Sequence, residues 1–301
     1  MRLLQHGYSV NTTIRSRSSK KDISFLTNLP KASEKLRIFN ADLDDPDSFV
    51  PAIEGCIGVF HVAHPMDFQD KETEQTITDR SVRATLGILR ASLDSKTVKR
   101  VVYTSGAATV MHRSDANDDV LDEESWSDLD YVRSSGVFGA SYCISKTVTE
   151  RAILEFSEKH SLDAVIALPT LINGPFICPG LPASVRASLA MFTEHIKYNE
   201  KTPIVHIDDV ASAHIFLFEY PRAKGRYICS AVEVTINELS ELVSKKYPEY
   251  QISNPESLVD RSAKIVSLSS KKLLEAGFKY KYGAEEMFND AIECCKQKGF
   301  L

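Results

Sequence analysis

Arg2-Leu-Leu-Gln-His-Gly7 followed by Tyr8-Ser-Val-Asn-Thr-Thr-Ile14 is the stretch that decides the fold. Arg2–Gly7 reads as the last turn of a helix stopped by glycine, the residue that most readily takes the left-handed backbone at a helix C-terminus. Tyr8–Ile14 is rich in β-branched residues and reads as a strand. A helix end feeding a strand is the middle of a βαβ unit. Outward from it, the strand candidates are Leu36–Phe39, Gly58–Val62, Arg100–Ser105 and Asp163–Leu168. Helical segments alternate with them around Asp22–Leu29, Pro46–Ile53, Thr73–Leu93 and Ser141–His160. Such alternation implies right-handed crossovers and an α/β, doubly wound parallel sheet of Rossmann-like type.

A dinucleotide fold of this kind opens with a strand, a glycine-rich loop and a helix whose N-terminus meets the pyrophosphate. Neither that strand nor that loop is found, so Tyr8–Ile14 is placed as the second strand and the first strand and glycine-rich loop as missing. In the order 3-2-1-4-5-6 the first strand lies between the second and fourth. Tyr8–Ile14 and Gly58–Val62 should then face each other across a vacant position. Either they stay roughly 10 Å apart with unpaired backbone, or they close together.

After Pro169 the texture changes. Asn173-Gly174-Pro175 and Cys178-Pro179-Gly180-Leu181-Pro182 are turn-rich. Helices are expected at Ala183–Phe192, Asp209–Tyr220, Ile236–Lys246 and Ala284–Lys298, with short strands at Ile204–His206 and Arg226–Cys229. Residues 1–169 are read as the dinucleotide-binding core. Residues 170–301 are read as a mixed segment that completes the sheet and forms a smaller C-terminal substrate lobe.

With 301 residues, 43% hydrophobic and 26% charged, the composition is that of an ordinary globular protein. A net charge of -5 argues against a nucleic-acid partner. No apolar run reaches the roughly 18 to 20 residues of a membrane span. Six cysteines without C-x-x-C spacing read as reduced thiols in a reducing compartment. His61 and His64 have no third ligand at useful spacing, so no metal is expected.

Tyr142-Cys-Ile-Ser-Lys146 places a phenol and an ammonium on one helix face. A carbonyl reductase needs a proton donor beside the hydride acceptor, and a nearby lysine charge should lower the tyrosine pKa. A second match, Tyr220-Pro-Arg-Ala-Lys224, carries a proline that disfavours the helix. Ser105, at the end of Val101-Val-Tyr-Thr-Ser105, is placed to hold the substrate oxygen. Arg15, Arg17, Lys20 and Lys21 follow the Tyr8–Ile14 strand, where NAD enzymes carry an acid and NADP enzymes a basic residue. Asp42-Leu43 reads equally as an adenine contact or as a turn carboxylate, and His61–Pro65 as a strand exit beside a cofactor or a plain loop.

Several of these stretches resemble the vestitone reductase and dihydroflavonol reductase branch of the extended short-chain dehydrogenase/reductase family. They are Gly7–Arg15, Phe60-His-Val-Ala-His-Pro-Met-Asp-Phe68, Tyr142–Lys146, Pro169-Thr-Leu-Ile-Asn-Gly-Pro-Phe176, Val205-His-Ile-Asp-Asp-Val210 and Cys294–Leu301. The resemblance implies a cytoplasmic enzyme reducing the ketone of a flavonoid-type substrate with NADP(H). It would put Arg15 and Lys21 at the 2′-phosphate, Asp42 and Leu43 at the adenine, and Val62 and Ala63 along the cofactor. Tyr142, Lys146 and Ser105 would be catalytic, and Pro169 would lie at the nicotinamide. The chain departs from the pattern at Thr104-Ser105-Gly106, where the family has Thr-Ser-Ser; a gapped alignment equates Ser105 with the catalytic serine and an ungapped one Gly106. It departs again at Gly139-Ala140-Ser141, where the family often has tryptophan. The alternative function is a non-catalytic, truncated relative or incomplete gene model that keeps the fold without normal cofactor binding.

Overall fold

The coordinates are a computed structural model and describe residues 1–15, 22–65, 72–114, 120–136, 139–193, 199–250, 254–259 and 266–301. The strands are β1 (Val10–Ile14), β2 (Leu36–Asn40), β3 (Gly58–His61), β4 (Arg100–Thr104), β5 (Val120–Leu121), β6 (Ala164–Pro169), β7 (Leu171–Asn173), β8 (Lys201–His206), β9 (Gly225–Cys229), β10 (Val232–Thr235) and β11 (Ser267–Leu268). The chain divides into two compact units. One comprises Met1–His112, Trp126–Leu168 and His214–Tyr227, the other Arg113–Ser125, Pro169–Ala213 and Ile228–Leu301.

In the first unit the α/β reading is met by parallel strands joined through helices. A four-stranded sheet runs in the order β3-β4-β6-β9, with β3, β4 and β6 parallel. Every residue of β6 and all but the last of β4 are buried, as expected for strands covered on both faces. The helices Glu74–Asp94 and Ala140–His160 pack on each other, and Thr149 donates a buried hydrogen bond to Ser81 across their contact (2.9 Å). Thr73 caps the first of these by accepting from the Thr76 amide.

The helical turn and the strand read at the N-terminus are both present, the strand beginning at Val10. Arg2–Gln5 is a single helical turn, and Gly7 follows with φ of +89°. β1 pairs in parallel with β2, Val10 opposite Leu36 and Ile14 opposite Asn40. Among the described residues β1 bonds to no other strand and β3 bonds only to β4, so no ladder joins the two sheets. The two edges have not closed together. Both are half-buried, unlike β4 and β6. The ring of Phe218 touches both sides, 6.2 Å from Tyr8 and 5.5 Å from Phe60.

Arg100, at the start of β4, ties this unit together. Its guanidinium is 6% exposed, pairs with Asp163 at 2.8 Å and donates to the carbonyls of Leu217 (2.7 Å) and Tyr220 (2.6 Å). Those carbonyls end the Ile207–Glu219 helix, where a cation offsets the helix dipole. Charge-assisted hydrogen bonds contribute about 1.5–3 kcal/mol each, and here one side chain serves several carbonyls. Arg100→Met should therefore lower unfolding stability by about 3 kcal/mol, measured by urea denaturation.

In the second unit β8 pairs antiparallel with β10 and parallel with β7, and β5 pairs with β11. Its core gathers Leu239 and Val243 of the helix Ile236–Lys246 with Met287, Phe288 and Ile292 of the helix Ala284–Lys298. No helix among the described residues is long and apolar enough to cross a membrane.

Candidate active site

The helix carrying Tyr142 and Lys146 begins after Gly139, whose φ of +74° turns the incoming chain. Tyr142, Lys146 and Glu150 recur every four residues, so they share one face, and that face lies against the end of β4. Lys146 is 3% exposed. Its Nζ donates to the Thr104 carbonyl at 2.6 Å and to the Tyr103 hydroxyl at 3.4 Å, and sits 5.9 Å from the Tyr142 ring centre. Burial pulls the ammonium down to about 7, opposed in part by the charge of Glu150.

Tyr142 differs from expectation. Its phenol is pushed up to about 12, mainly by burial, where a lowering by Lys146 was expected. The reason is that a phenolate loses more hydration here than a lysine can restore when its own charge is marginal at neutral pH. The phenol therefore stays protonated, which is the form a proton donor needs.

His64 packs edge-on against Tyr142, ring centres 5.5 Å apart at 90°. One of its ring nitrogens meets Ser81 (3.1 Å) and the other Ser145 (3.3 Å). His61 meets Thr85 at 3.0 Å. Burial, then the charge of Lys146, lowers His61 to about 3 and His64 to about 2, so both imidazoles are neutral. Among the described residues no three His, Cys, Asp or Glu side chains converge on a metal position.

Ser105 directly follows β4. Its hydroxyl donates to Glu150 at 2.5 Å, and Ser105 is 3% exposed. A hydroxyl has one proton, and here it is directed at the Glu150 carboxylate. Glu150 is fully buried and ion-paired with Arg226. Arg226 also donates to Thr109 at 3.1 Å and lies 3.7 Å above the ring of Trp126. Thr104 meets His214 at 2.7 Å. Glu150 and Arg226 escaped the sequence reading, and His64 entered it only as a rejected metal ligand and part of a strand exit. Only Glu150 left a signal there, as the third member of the stripe Tyr142, Lys146, Glu150.

The remaining expected residues lie at or just beyond strand ends. Arg15 follows β1 and is exposed, while Lys21 lies outside the described residues. Asp42 builds a turn: its carboxylate accepts from the Asp44 amide (3.1 Å) and its own amide donates to Ser48 (3.0 Å). Leu43 is buried with Phe49, Ile53 and Ile88. Val62 and Ala63 follow β3 and are exposed, Val62 by 60%. Pro169 is the last residue of β6. In open α/β sheets ligands bind beyond the carboxyl ends of the strands. An exposed cation after β1 and an exposed apolar backbone after β3 fit a phosphorylated dinucleotide laid along that edge.

The sequence pattern of the NAD dependent epimerase/dehydratase family matches residues 1–229. Vestitone reductase of Medicago sativa is 51% identical over 99% of this chain and 93% of its own length. Protein BRI1-5 ENHANCED 1 of Arabidopsis thaliana is 50% identical over the whole chain and 85% of its own length. A dihydroflavonol 4-reductase of Callistephus chinensis is 43% identical over the whole chain and 83% of its own length. The crystal structure of alfalfa vestitone reductase superposes with a TM-score of 0.87 at 49% identity, covering all of this chain and 94% of that one. The chain belongs to the NAD dependent epimerase/dehydratase family.

Proposed function

We propose that the protein is an NADP(H)-dependent reductase acting on the ketone of a flavonoid- or isoflavonoid-type small molecule, working in the cytoplasm with its thiols reduced. The observation that carries this is the face on which Tyr142 and a nearly water-free Lys146 stand together at the end of β4. When bound, the nicotinamide supplies the hydride. Tyr142 gives its phenolic proton to the carbonyl oxygen, and Lys146 offers its charge to the nicotinamide ribose. Val62 and Ala63 line the cofactor, and Arg15 meets the 2′-phosphate. The kinship with vestitone and dihydroflavonol reductases supports the substrate class. The test is loss of reduced-nicotinamide absorbance with an isoflavanone or a dihydroflavonol, against no loss with either.

Two results follow from this reading. Arg15→Ala should weaken NADPH binding by about tenfold, the effect of one charge-assisted contact, and leave NADH binding unchanged. An unchanged NADPH/NADH preference would make Arg15 a solvated loop residue. The second concerns pH. Lys146 is charged below about 7, so cofactor-dependent turnover should fall as pH rises through that value. A profile flat from pH 6 to 9 would remove the Lys146 charge from the mechanism.

A second reading is favoured by the unjoined edges of β1 and β3. It is a relative that keeps the fold and binds the cofactor weakly. NADPH titration of the chain separates the two readings before any substrate is added.

A further inference from the structure

Helix Ala140–His160 buries Ser145, Lys146, Thr147, Thr149 and Glu150 in succession, and two of these carry charge. Buried charges are rare unless something uses or compensates them. We infer that Glu150 is a positioning residue of the site: held by Arg226, it fixes the Ser105 hydroxyl and sets a negative charge one helical turn from Lys146.

The surroundings of Lys146 leave little else to do this. From β4 it meets Tyr103 and the Thr104 carbonyl, both uncharged. From β3 and its exit come His61 and His64, both neutral. Tyr142, on its own helix, is protonated. On the facing helix Arg80 is engaged by Glu72, and His214 is bonded to Thr104. Among the described residues packed here, Glu150 is the carboxylate that opposes the desolvation of Lys146, with Arg226 on its far side. Arg226 in turn is braced by Thr109 and by the face of Trp126. The end of β4 is thus latched twice by one helix, at the Thr104 carbonyl by Lys146 and at the Ser105 hydroxyl by Glu150.

The inference builds on Lys146 as the cation of the reductase site, but it can be read from the lysine itself. Lys146 is held near 7 in the folded chain against its ordinary 10.5. Between those values the unfolded chain binds more protons, so this group makes stability rise with pH across that window. Thermal unfolding of the wild-type chain and of Lys146→Met across pH 5 to 10 isolates that rise as their difference. Glu150→Gln should move its onset down by about one pH unit, and Glu150→Asp, which keeps the charge, should leave it in place. In the Lys146→Met background, Glu150→Gln should cause no pH-dependent change over the same range. If Glu150→Gln does not fold, Glu150→Gln with Arg226→Met removes both charges together, and the onset should still fall. A loss of stability equal at every pH, with or without Lys146, would make Glu150 a packing residue and overturn the inference. Because no cofactor or substrate enters these measurements, failure of ketone reduction would be seen separately.

Discussion

Replacing Tyr142 with phenylalanine should cut ketone reduction by about 10²–10⁴-fold, the contribution of a positioned general acid, while NADPH affinity changes by no more than a few-fold. The phenol is the proton donor in this account, and the residues assigned to the cofactor lie mostly at other strand ends. Steady-state turnover with fluorescence titration of NADPH measures both. Because the phenol is held up to about 12, the wild-type donor stays protonated through the physiological range and its own titration should not limit reduction there. A variant keeping more than about a tenth of wild-type turnover would remove Tyr142 from the mechanism.

Arg226→Met should be the most damaging single change to stability. It strands Glu150, which is fully buried, with the Ser105 hydroxyl as its remaining partner among the bonds described above. Breaking a buried pair from one side costs about 3–5 kcal/mol, a large part of a typical total of about 5–15 kcal/mol. Changing Glu150→Gln in the same chain should recover much of the loss, because no uncompensated charge then remains. Urea unfolding followed by tryptophan emission is well suited to this, since Trp126 is the chain's single tryptophan and Arg226 covers its face. A cost under about 1 kcal/mol, the worth of an exposed pair, would show that the pair is hydrated.

The alternation of β-branched runs and helical periods was legible because parallel strands covered on both faces carry apolar runs, as Val101-Val102 of β4 and Ala164–Leu168 of β6 do. The stops were legible too: Gly7 ends its helical turn with the positive φ that its residue type favours. Four strands, β5, β7, β10 and β11, went unseen. They are two to four residues long, too short for a period to register.

At the site, Tyr142 and Lys146 could be found because a helix face is a matter of spacing. The direction of the tyrosine shift could not, since it depends on how much water burial removes and on the state of Lys146 itself. Ser105 shows the same limit. Its place at the end of β4 follows from the strand, but its partner is a carboxylate 45 positions away in sequence. Arg226 and His64 reach the site through tertiary packing, which no local pattern records.

The claim that Tyr142 and Lys146 serve hydride transfer to a ketone is tested most directly with NADPH deuterated at C4. The chain is incubated with an isoflavanone or dihydroflavonol, and the product is examined by mass spectrometry. The account predicts a single deuterium on the new carbinol carbon, delivered from one face of the cofactor and lost in Tyr142→Phe. Failure to bind NADPH, or a product without deuterium, would contradict it.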